Sequence, residues 1–168
     1  KASYDGYVDY SSEIDDYSIE MTLQNQVLAG ELERTFAQVY QTCLDLDSLV
    51  HYALNLPPAQ RNRSRLIEYT KMLLQKNTTL IGLAALFEPN AFDNNDAAFA
   101  NNGFYQSDGR FVPYVERSGS NITVSILEDF YDSSDIDWYT RPLNEQTSLM
   151  ISPFEFGKNI VTTLAVPI

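Results

Sequence analysis

The sequence predicts an α+β domain in which a long helix packs on an antiparallel β-sheet. In the first third of the chain, apolar residues recur every three or four positions. After Lys76 and Asn77 the pattern changes to short apolar runs, and turn residues separate these runs. Since the strands follow the helices and do not alternate with them, the sheet is expected to be antiparallel.

A long helix is predicted from about Ser12 to Leu54. Its apolar positions are Ile14, Tyr17, Met21, Leu28, Leu32, Phe36, Val39, Cys43, Leu46, Val50 and Ala53. Such a helix would be ~65 Å long, about twice the width of a small domain. Its three- and four-residue steps suit a coiled-coil seam, although Gly30 weakens a single unbroken helix. The segment is therefore either a dimer-forming stalk or a bent helix that lies along its own domain.

The pair Pro57-Pro58 ends this helix, because proline has no backbone N–H to donate. A second helix is predicted from about Ala59 to Gln75. Near its start, three arginines alternate with other residues, at Arg61, Arg63 and Arg65. Such a run is either an anion site or, more often, a solvated helix face.

Five strands are predicted after the helices. The run from Thr79 to Phe87 is typical of a buried strand. Residues 110–117 and 121–130 predict a hairpin with Gly119 at its turn. A second hairpin is expected from residues 148–152 and 159–168, with the connection over Pro153 to Lys158.

More than twenty residues, Glu88 to Gly109, connect the first strand to the first hairpin. A connection of this length is usually a functional loop or lid, or carries a short helix. The stretch NDAAFA predicts that helix, with Asn95 as its cap. Asp93 and Asp96 resemble a calcium loop in composition only, since the glycine and the final acidic residue of an EF-hand are missing.

Charge and composition exclude several functions. Eleven Lys and Arg stand against 23 Asp and Glu, a net charge of -12, which repels nucleic acid and favours cationic partners. Cys43 and His51 are the only residues of their kinds, so an intrachain disulfide and a Cys- or His-rich metal site are excluded. No apolar run reaches ~20 residues, so no membrane span is predicted within the chain. No cofactor is expected.

Aromatic rings and carboxylates cluster between residues 129 and 139. The rings are those of Phe130, Tyr131, Trp138 and Tyr139, and the carboxylates are those of Asp129, Asp132, Asp135 and Asp137. An ammonium group prefers such surroundings, because each ring face attracts a cation by ~0.5–2 kcal/mol and a carboxylate fixes its direction. Alternatively, Trp138 and Tyr139 anchor a short helix in the core and Asp137 caps it.

Four ordered motifs carry a family resemblance. They are LFEPNAFDNND (86–96), GRFVPYVERSGSNI (109–122), DWYTRPL (137–143) and FGKNIVTTLAVPI (156–168). The chain resembles the Cache sensor domains of bacterial chemoreceptors (methyl-accepting chemotaxis proteins), sensor kinases and cyclases, in particular the double Cache group. The likeness covers about residue 80 to the end, and the long helix corresponds in kind to the stalk that leaves the first membrane span.

The resemblance implies a PAS-like sheet, with a stalk helix over residues 1–56 and a ligand-binding module over residues 57–168. This module would be the membrane-distal one of a double Cache protein. In the family a closing strand, a second module and a second membrane span come next, so the closing strand is expected to lie outside this chain.

The resemblance also implies a ligand pocket roofed by the segments between strands. The candidate ligand-binding residues are Tyr114, Tyr131, Asp132, Asp135, Asp137, Trp138 and Tyr139. The aromatic pair Trp138 and Tyr139 would face the ligand, and Tyr114 with the segment 129–135 would form the near wall.

Two positions depart from the family pattern. Members that bind amino acids carry an arginine two residues before the tryptophan, where this chain has Ile136. A Glu-Pro-Tyr of the family is replaced by Ser152-Pro153-Phe154. Recognition of a free α-carboxylate at the first position is therefore not supported.

The expected function is non-enzymatic ligand sensing in the periplasm, by a domain of an inner-membrane chemoreceptor. The expected ligand is an amine or a quaternary ammonium compound. An alternative is an amino-acid sensor of a histidine kinase or cyclase that uses Arg110, Arg117 or Arg141 as its cation. Another is a structural module whose N-terminal helix forms a homodimer.

Overall fold

The computed structural model describes residues 10–102, 105–127, 137–156 and 159–168. Along these residues, two helices come first, followed by a three-stranded sheet, a short helix and a two-stranded sheet. All strand pairs are antiparallel. This order confirms the α+β class, and the predicted strands are divided between two sheets.

The first helix, α1, spans Tyr10–Leu54, or 45 residues, without a break. Gly30 does not interrupt it, since one glycine costs only about 1 kcal/mol in a helix. Two compact units share this helix, residues 1–37 and residues 38–168. Within the first unit, the apolar side chains of Ile14, Tyr17 and Leu32 are 66%, 68% and 57% exposed. Pairing of this segment with a second copy stays a prediction.

The second helix, α2, spans Arg63–Lys76 and so begins later than predicted. A 3₁₀ turn, Pro58–Gln60, follows the two prolines. The cause of the late start is Asn62, whose side chain accepts a hydrogen bond from the backbone N–H of Arg65 at 2.9 Å. This bond satisfies a donor that the first helical turn leaves unpaired, so the helix begins after Asn62.

The three-stranded sheet has the order β1-β2-β3, with β1 at Gly82–Ala84, β2 at Pro113–Ser118 and β3 at Asn121–Ile126. The regular part of β1 is shorter than predicted. However, backbone N–H groups of Ala85 and Phe87 donate to the carbonyls of Pro113 and Phe111, each at 3.2 Å, and extend the pairing. Gly119 has φ 60° and forms the hairpin turn as predicted.

One face of this sheet forms the core with the helices. Leu83 and Val115 of adjacent strands are buried on it, at 7% and 0% exposure. Helix α2 packs against all three strands, and the C-terminal part of α1 contributes Leu46 and Val50 to the same cluster. The predicted packing of the long helix on the sheet is confirmed in this way.

The connection from β1 to β2 folds back over the end of the sheet. Phe87, Phe92 and Phe111 pack ring to ring there, with centroids 4.7 to 5.5 Å apart. The predicted helix in NDAAFA is only a 3₁₀ turn, Asp96–Phe99. Asn95 precedes it but makes no capping bond with its side chain, so the interpretation of Asn95 as a helix cap was wrong.

The short helix α3 spans Asp137–Glu145, and the second sheet pairs β4 (Leu149–Phe156) with β5 (Asn159–Ala165). Helix α3 contacts both of these strands. The predicted connection from Pro153 to Lys158 was wrong over its first four residues, because β4 continues to Phe156, and its last two lie outside the described residues. The pairing shifts between Ile151 and Phe154, and such an irregularity accommodates a proline within a strand.

No helix among the described residues is both long enough and apolar enough to cross a bilayer.

Candidate functional site

Three of the predicted ligand-binding residues form the first turn of α3. Asp137 begins the helix and is exposed, whereas Trp138 and Tyr139 are partly buried. The two rings lie edge to face, with centroids 6.1 Å apart and planes at 64°. Neither ring belongs to the core between the first sheet and the helices. Both interpretations of this pair, as rings that face a ligand and as anchors of the short helix, stay predictions.

The hydroxyl of Tyr139 joins α3 to the base of the long connection. It donates a hydrogen bond to Oε1 of Glu88 and accepts one from Nη2 of Arg110 at 3.1 Å. Arg110 also lies 3.3 Å from the Glu88 carboxylate, and its Nε donates to the carbonyl of Phe87 at 2.5 Å. Burial, and then the hydrogen bond and charge of Glu88, raise the pKa of Tyr139 to about 12, although Arg110 acts in the opposite direction.

Tyr114 lies on the face of the first sheet that is opposite to Val115 and the core. Its ring covers Gly82 of the neighbouring strand, where a Cβ would be only 2.5 Å from Cε2 and 2.7 Å from Cζ of Tyr114. Position 82 therefore has to be glycine for the ring to lie there. Burial, and next the charge of Glu116, raise the pKa of the Tyr114 hydroxyl.

The segment from Arg110 to Tyr114 connects Tyr139 with Tyr114. Arg110 precedes Tyr114 by four residues, an even spacing, so both side chains leave the paired segment on the same face. At about 3.3 Å per residue the two positions are ~13 Å apart. Val112 lies between them, buried but outside the main core cluster. Tyr114, Val112 and Arg110 thus follow one another along one face, and Tyr139 contacts its Arg110 end.

The other predicted ligand-binding residues, Tyr131, Asp132 and Asp135, lie outside the described residues, as does the rest of 128–136. Their part in a site stays a prediction.

Sequence reasoning missed the role of Glu88 and Gly82, and it considered Arg110 only as a cation for an amino acid. The register of β1 and β2 places Glu88 opposite Arg110, since Phe87 is bonded to Phe111. The long connection between them in the sequence hides this pairing. Only the two flanking strand patterns could have indicated it.

The remaining candidate cations are placed elsewhere. Arg117 donates to the carbonyl of Leu74 in the last turn of α2 and to those of Asn77 and Leu80 beyond it, so it closes that helix. Arg141 pairs with Glu145 at 3.3 Å on the exposed side of α3.

Both interpretations of the alternating arginines were wrong for Arg63, which is 3% exposed. Its guanidinium binds both oxygens of Asp93, at 2.7 and 2.8 Å, and Asp96 at 2.5 Å. The guanidinium carbon also lies 4.0 Å from the centre of the Phe99 ring. Because Arg63 already occupies the two carboxylates that resembled a calcium loop, they are a structural ion pair.

Arg61 contacts only backbone carbonyls among the described residues. It donates to Leu54 and Leu56 at the end of α1, and to Ala91 and Phe92 in the long connection, at 2.5 to 3.3 Å. The end of α1 is in this way attached to the connection whose base contacts Tyr139.

The single histidine and the single cysteine of the chain both lie on α1. His51, the single histidine, lies on the surface of α1 with Nδ1 3.1 Å from the Asp47 carboxylate. Burial raises the pKa of the Cys43 thiol to about 11, which makes it a poor nucleophile. Within the described ranges, no group of three or more His, Cys, Asp or Glu residues could hold a metal ion.

Comparison with known proteins places this fold in a sensor family. Residues 66–168 match the family described as methyl-accepting chemotaxis protein-like, first PDC sensor domain. No curated protein matches the chain.

Solved structures with the same fold include two extracellular domains assigned to histidine kinases. The domain of mmHK1S-Z3 is 26% identical with a TM-score of 0.64, and the match covers 79% of this chain and 47% of that chain. The domain of mmHK1S-Z2 is 28% identical with a TM-score of 0.58, covering 84% and 55%. Methyl-accepting chemotaxis protein X shares the fold at 19% identity and a TM-score of 0.53, covering 84% and 55%.

The chain thus spans about half the length of these solved domains. The family match covers more than half of the chain and includes the sheet, α3 and the second hairpin. The chain belongs to the family of methyl-accepting chemotaxis protein-like first PDC sensor domains.

Proposed function

We propose that the chain is the ligand-sensing part of a membrane-anchored bacterial receptor and that its ligand is an amine or a quaternary ammonium compound. The observation that carries the proposal is the start of α3, where the partly exposed rings of Trp138 and Tyr139 adjoin the exposed carboxylate of Asp137. Tyr114 would form a further wall, and Tyr131, Asp132 and Asp135 would complete the site.

The chemistry of these groups favours a cation. A ring face attracts an ammonium group by ~0.5–2 kcal/mol, most for tryptophan and more when water is excluded. Asp137 supplies a charge of opposite sign beside the rings, and the net charge of -12 raises the local concentration of cations. The hydroxyl of Tyr139 is engaged by Glu88 and Arg110, so its ring is the part that would recognise the ligand.

The parent protein is proposed to be a chemoreceptor of the double Cache type, with this chain as its membrane-distal module in the periplasm. The family description supports a chemotaxis protein. The likeness to extracellular domains assigned to histidine kinases, at 26% and 28% identity, supports a sensor kinase as the alternative parent.

A ligand would signal by binding one arrangement of α3 more tightly than another, because only this difference in affinity shifts the equilibrium. Tyr139 contacts the base of the long connection through Glu88 and Arg110. The same connection is attached to the end of α1 through Arg61. We infer that a movement of α3 reaches α1 along these contacts.

An amino acid is the second candidate ligand, because Arg110 lies beside Tyr139. Its side chain is only 4% exposed, so the long connection or α3 would have to move before a carboxylate could bind it. Calorimetry would favour this candidate if tight binding of an amino acid were lost in Arg110→Ala but kept in Arg141→Ala, whose arginine lies on the exposed side of the same region.

The main test is isothermal titration calorimetry of the purified chain with a panel of amines, quaternary ammonium compounds, amino acids and simple carboxylates. At least one cation should bind. Asp137→Asn should weaken that binding about tenfold, since a hydrogen bond or contact to a charged group contributes about 1.5 kcal/mol. Glu145→Gln removes the same charge from an exposed position of the same helix and should leave the affinity unchanged.

Binding of carboxylates without binding of any amine would contradict the proposal. If no small molecule bound or shifted the melting temperature, and native mass spectrometry showed a dimer, the chain would instead be a dimerisation module.

A further inference from the structure

Glu88 and Arg110 are held opposite each other by the backbone. The hydrogen bond from the N–H of Phe87 to the carbonyl of Phe111 pairs the residue before Glu88 with the residue after Arg110. The Nε of Arg110 is bonded to the carbonyl of Phe87, and the side chain is 4% exposed, so the guanidinium has little freedom. The Arg110 guanidinium and the Glu88 carboxylate therefore form a charged pair beside the first turn of α3.

The hydroxyl of Tyr139 contacts both of these charges. It donates to Glu88 and accepts from Arg110, which uses its one donor and one of its acceptor positions. Two hydrogen bonds with partners of opposite charge fix the position of the oxygen, and with it the direction of the long axis of the ring. Hydrogen bonds with charged partners are roughly twice as strong as neutral ones.

We propose that Glu88 and Arg110 are positioning residues that set the orientation of the Tyr139 ring toward the ligand and so restrict this side chain to recognition through its ring face. This inference rests on the proposed function, in which Tyr139 borders the ligand. It deepens that function because it assigns the choice of a cationic ligand to a pair of residues that do not touch it.

The charge of Glu88 has a second effect in the same arrangement. Arg110 alone would place a positive charge 3.1 Å from the Tyr139 hydroxyl and would repel a cation on the ring. Glu88 lies 3.3 Å from this guanidinium and offsets its field. Loss of the Glu88 charge should therefore weaken binding of cations more than binding of neutral molecules of the same shape.

The single tryptophan makes this testable by fluorine NMR. With 5-fluorotryptophan in the chain, one resonance reports on position 138, whose ring lies 6.1 Å from that of Tyr139. A turn of the Tyr139 ring changes the ring current at the fluorine. The variants are Glu88→Gln, Arg110→Met and Arg110→Lys, and the control is Glu145→Gln, which removes a charge from the exposed pair with Arg141.

We expect Glu88→Gln and Arg110→Met to shift the resonance and to weaken binding of the cation found by calorimetry about tenfold. Arg110→Lys should recover part of the affinity, since its ammonium keeps the charge and can donate hydrogen bonds but lacks the planar fork of the guanidinium. Glu145→Gln should change neither quantity. Glu88 is 59% exposed, so Glu88→Gln is expected to fold even if the Arg110 variants do not.

The inference is overturned if the resonance of Glu88→Gln coincides with that of the wild type, or if it shifts and the affinity for the cation is unchanged. A wild-type chain that binds no amine would contradict the proposed function alone. In that case the fluorine shifts still decide whether the pair orients Tyr139.

Discussion

Arg63 and Asp93 form an ion pair with two contacts, at 2.7 and 2.8 Å, at a position where both side chains are nearly excluded from water. The pair attaches the first turn of α2 to the connection between β1 and β2. Glu88 and Arg110 lie at the two ends of this connection and contact Tyr139. The ion pair therefore also stabilises the segment that positions these two residues. It is a structural element of the candidate site even though it contacts no predicted ligand-binding residue.

Removal of the arginine should strongly destabilise the chain. Arg63→Met would leave Asp93 and Asp96 without their cation, and breaking a buried pair from one side costs about 3–5 kcal/mol. Arg65→Met is the matched control, because Arg65 is exposed on the same helix and surface changes usually stay within about 0.5 kcal/mol. Urea unfolding followed by circular dichroism measures both. Equal free energies of unfolding for the two variants would contradict the prediction.

The same ion pair predicts a loss of stability in acid. Burial raises the pKa of Asp93, but the hydrogen bond and charge of Arg63 outweigh it, so the net pKa is below the ordinary value. A depressed pKa in the folded state means that the stabilisation is complete above the unfolded pKa of about 3.9 and is lost as pH falls through the folded value. The free energy of unfolding should therefore fall below about pH 4.

Asp93→Asn isolates this contribution from the other carboxylates. At pH 7 the variant should be less stable than the wild type by about 2 kcal/mol, since Asp96 still contacts Arg63. This difference should shrink as the pH falls below about 4. Asp16→Asn, at an exposed position of α1, is the control and should differ little from the wild type at pH 7. A difference for Asp93→Asn that is constant between pH 7 and pH 3 would refute the assignment.

Gly109 is predicted to be intolerant of any side chain. It has φ 82°, and a Cβ there would be 2.7 Å from the backbone nitrogen of Ala100 and still closer to the carbonyl of Asp96. Gly109→Ala therefore adds a backbone clash to the left-handed conformation and should cost more than about 2 kcal/mol. Gly119→Ala is the control, because that glycine has φ 60° with open space around it and should cost only about 1 kcal/mol. Thermal melts that rank Gly119→Ala as the more damaging would contradict this explanation.

The fold class could be predicted from the sequence because it depends on the periodicity of the apolar residues. The repeat of three and four residues identified α1, and the two glycine- and proline-marked hairpins identified β2 to β5. The errors lie where a single side chain decides a boundary. Asn62 delays α2 by its capping bond, and a shift in pairing lets β4 continue through Pro153. Neither effect changes the hydrophobic pattern.

The candidate site could be predicted only in part from the sequence, because its contacts depend on the register between β1 and β2. Trp138 and Tyr139 were predicted as ligand-binding residues from the neighbouring aspartates and the family resemblance, and this role stays a prediction. The contact of Glu88 and Arg110 with Tyr139 was not predicted, since more than twenty residues separate Glu88 from Arg110 and their hydrogen bonds to Tyr139 join three segments. Burial of Arg63 was missed for the same reason, as its partners lie thirty and thirty-three residues away.

Gly82 should control the position of the Tyr114 ring. A methyl group at position 82 would lie 2.5 Å from Cε2 of Tyr114, so the ring would have to leave the face of the sheet. Gly82→Ala should therefore destabilise the chain by about 1–3 kcal/mol, the usual cost of overpacking. If Tyr114 forms a wall of the ligand site, the same change should weaken ligand binding.

The clash itself is tested by a double-mutant cycle with Tyr114→Ser, measured by urea unfolding. In the Tyr114→Ser background, Gly82→Ala should cost less than about 0.5 kcal/mol. The clash is then absent, and alanine is no worse than glycine in the interior of a strand. If the changes in the free energy of unfolding are additive in this cycle, the ring and the glycine are not coupled. The inference that Gly82 determines the position of the Tyr114 ring would then be wrong.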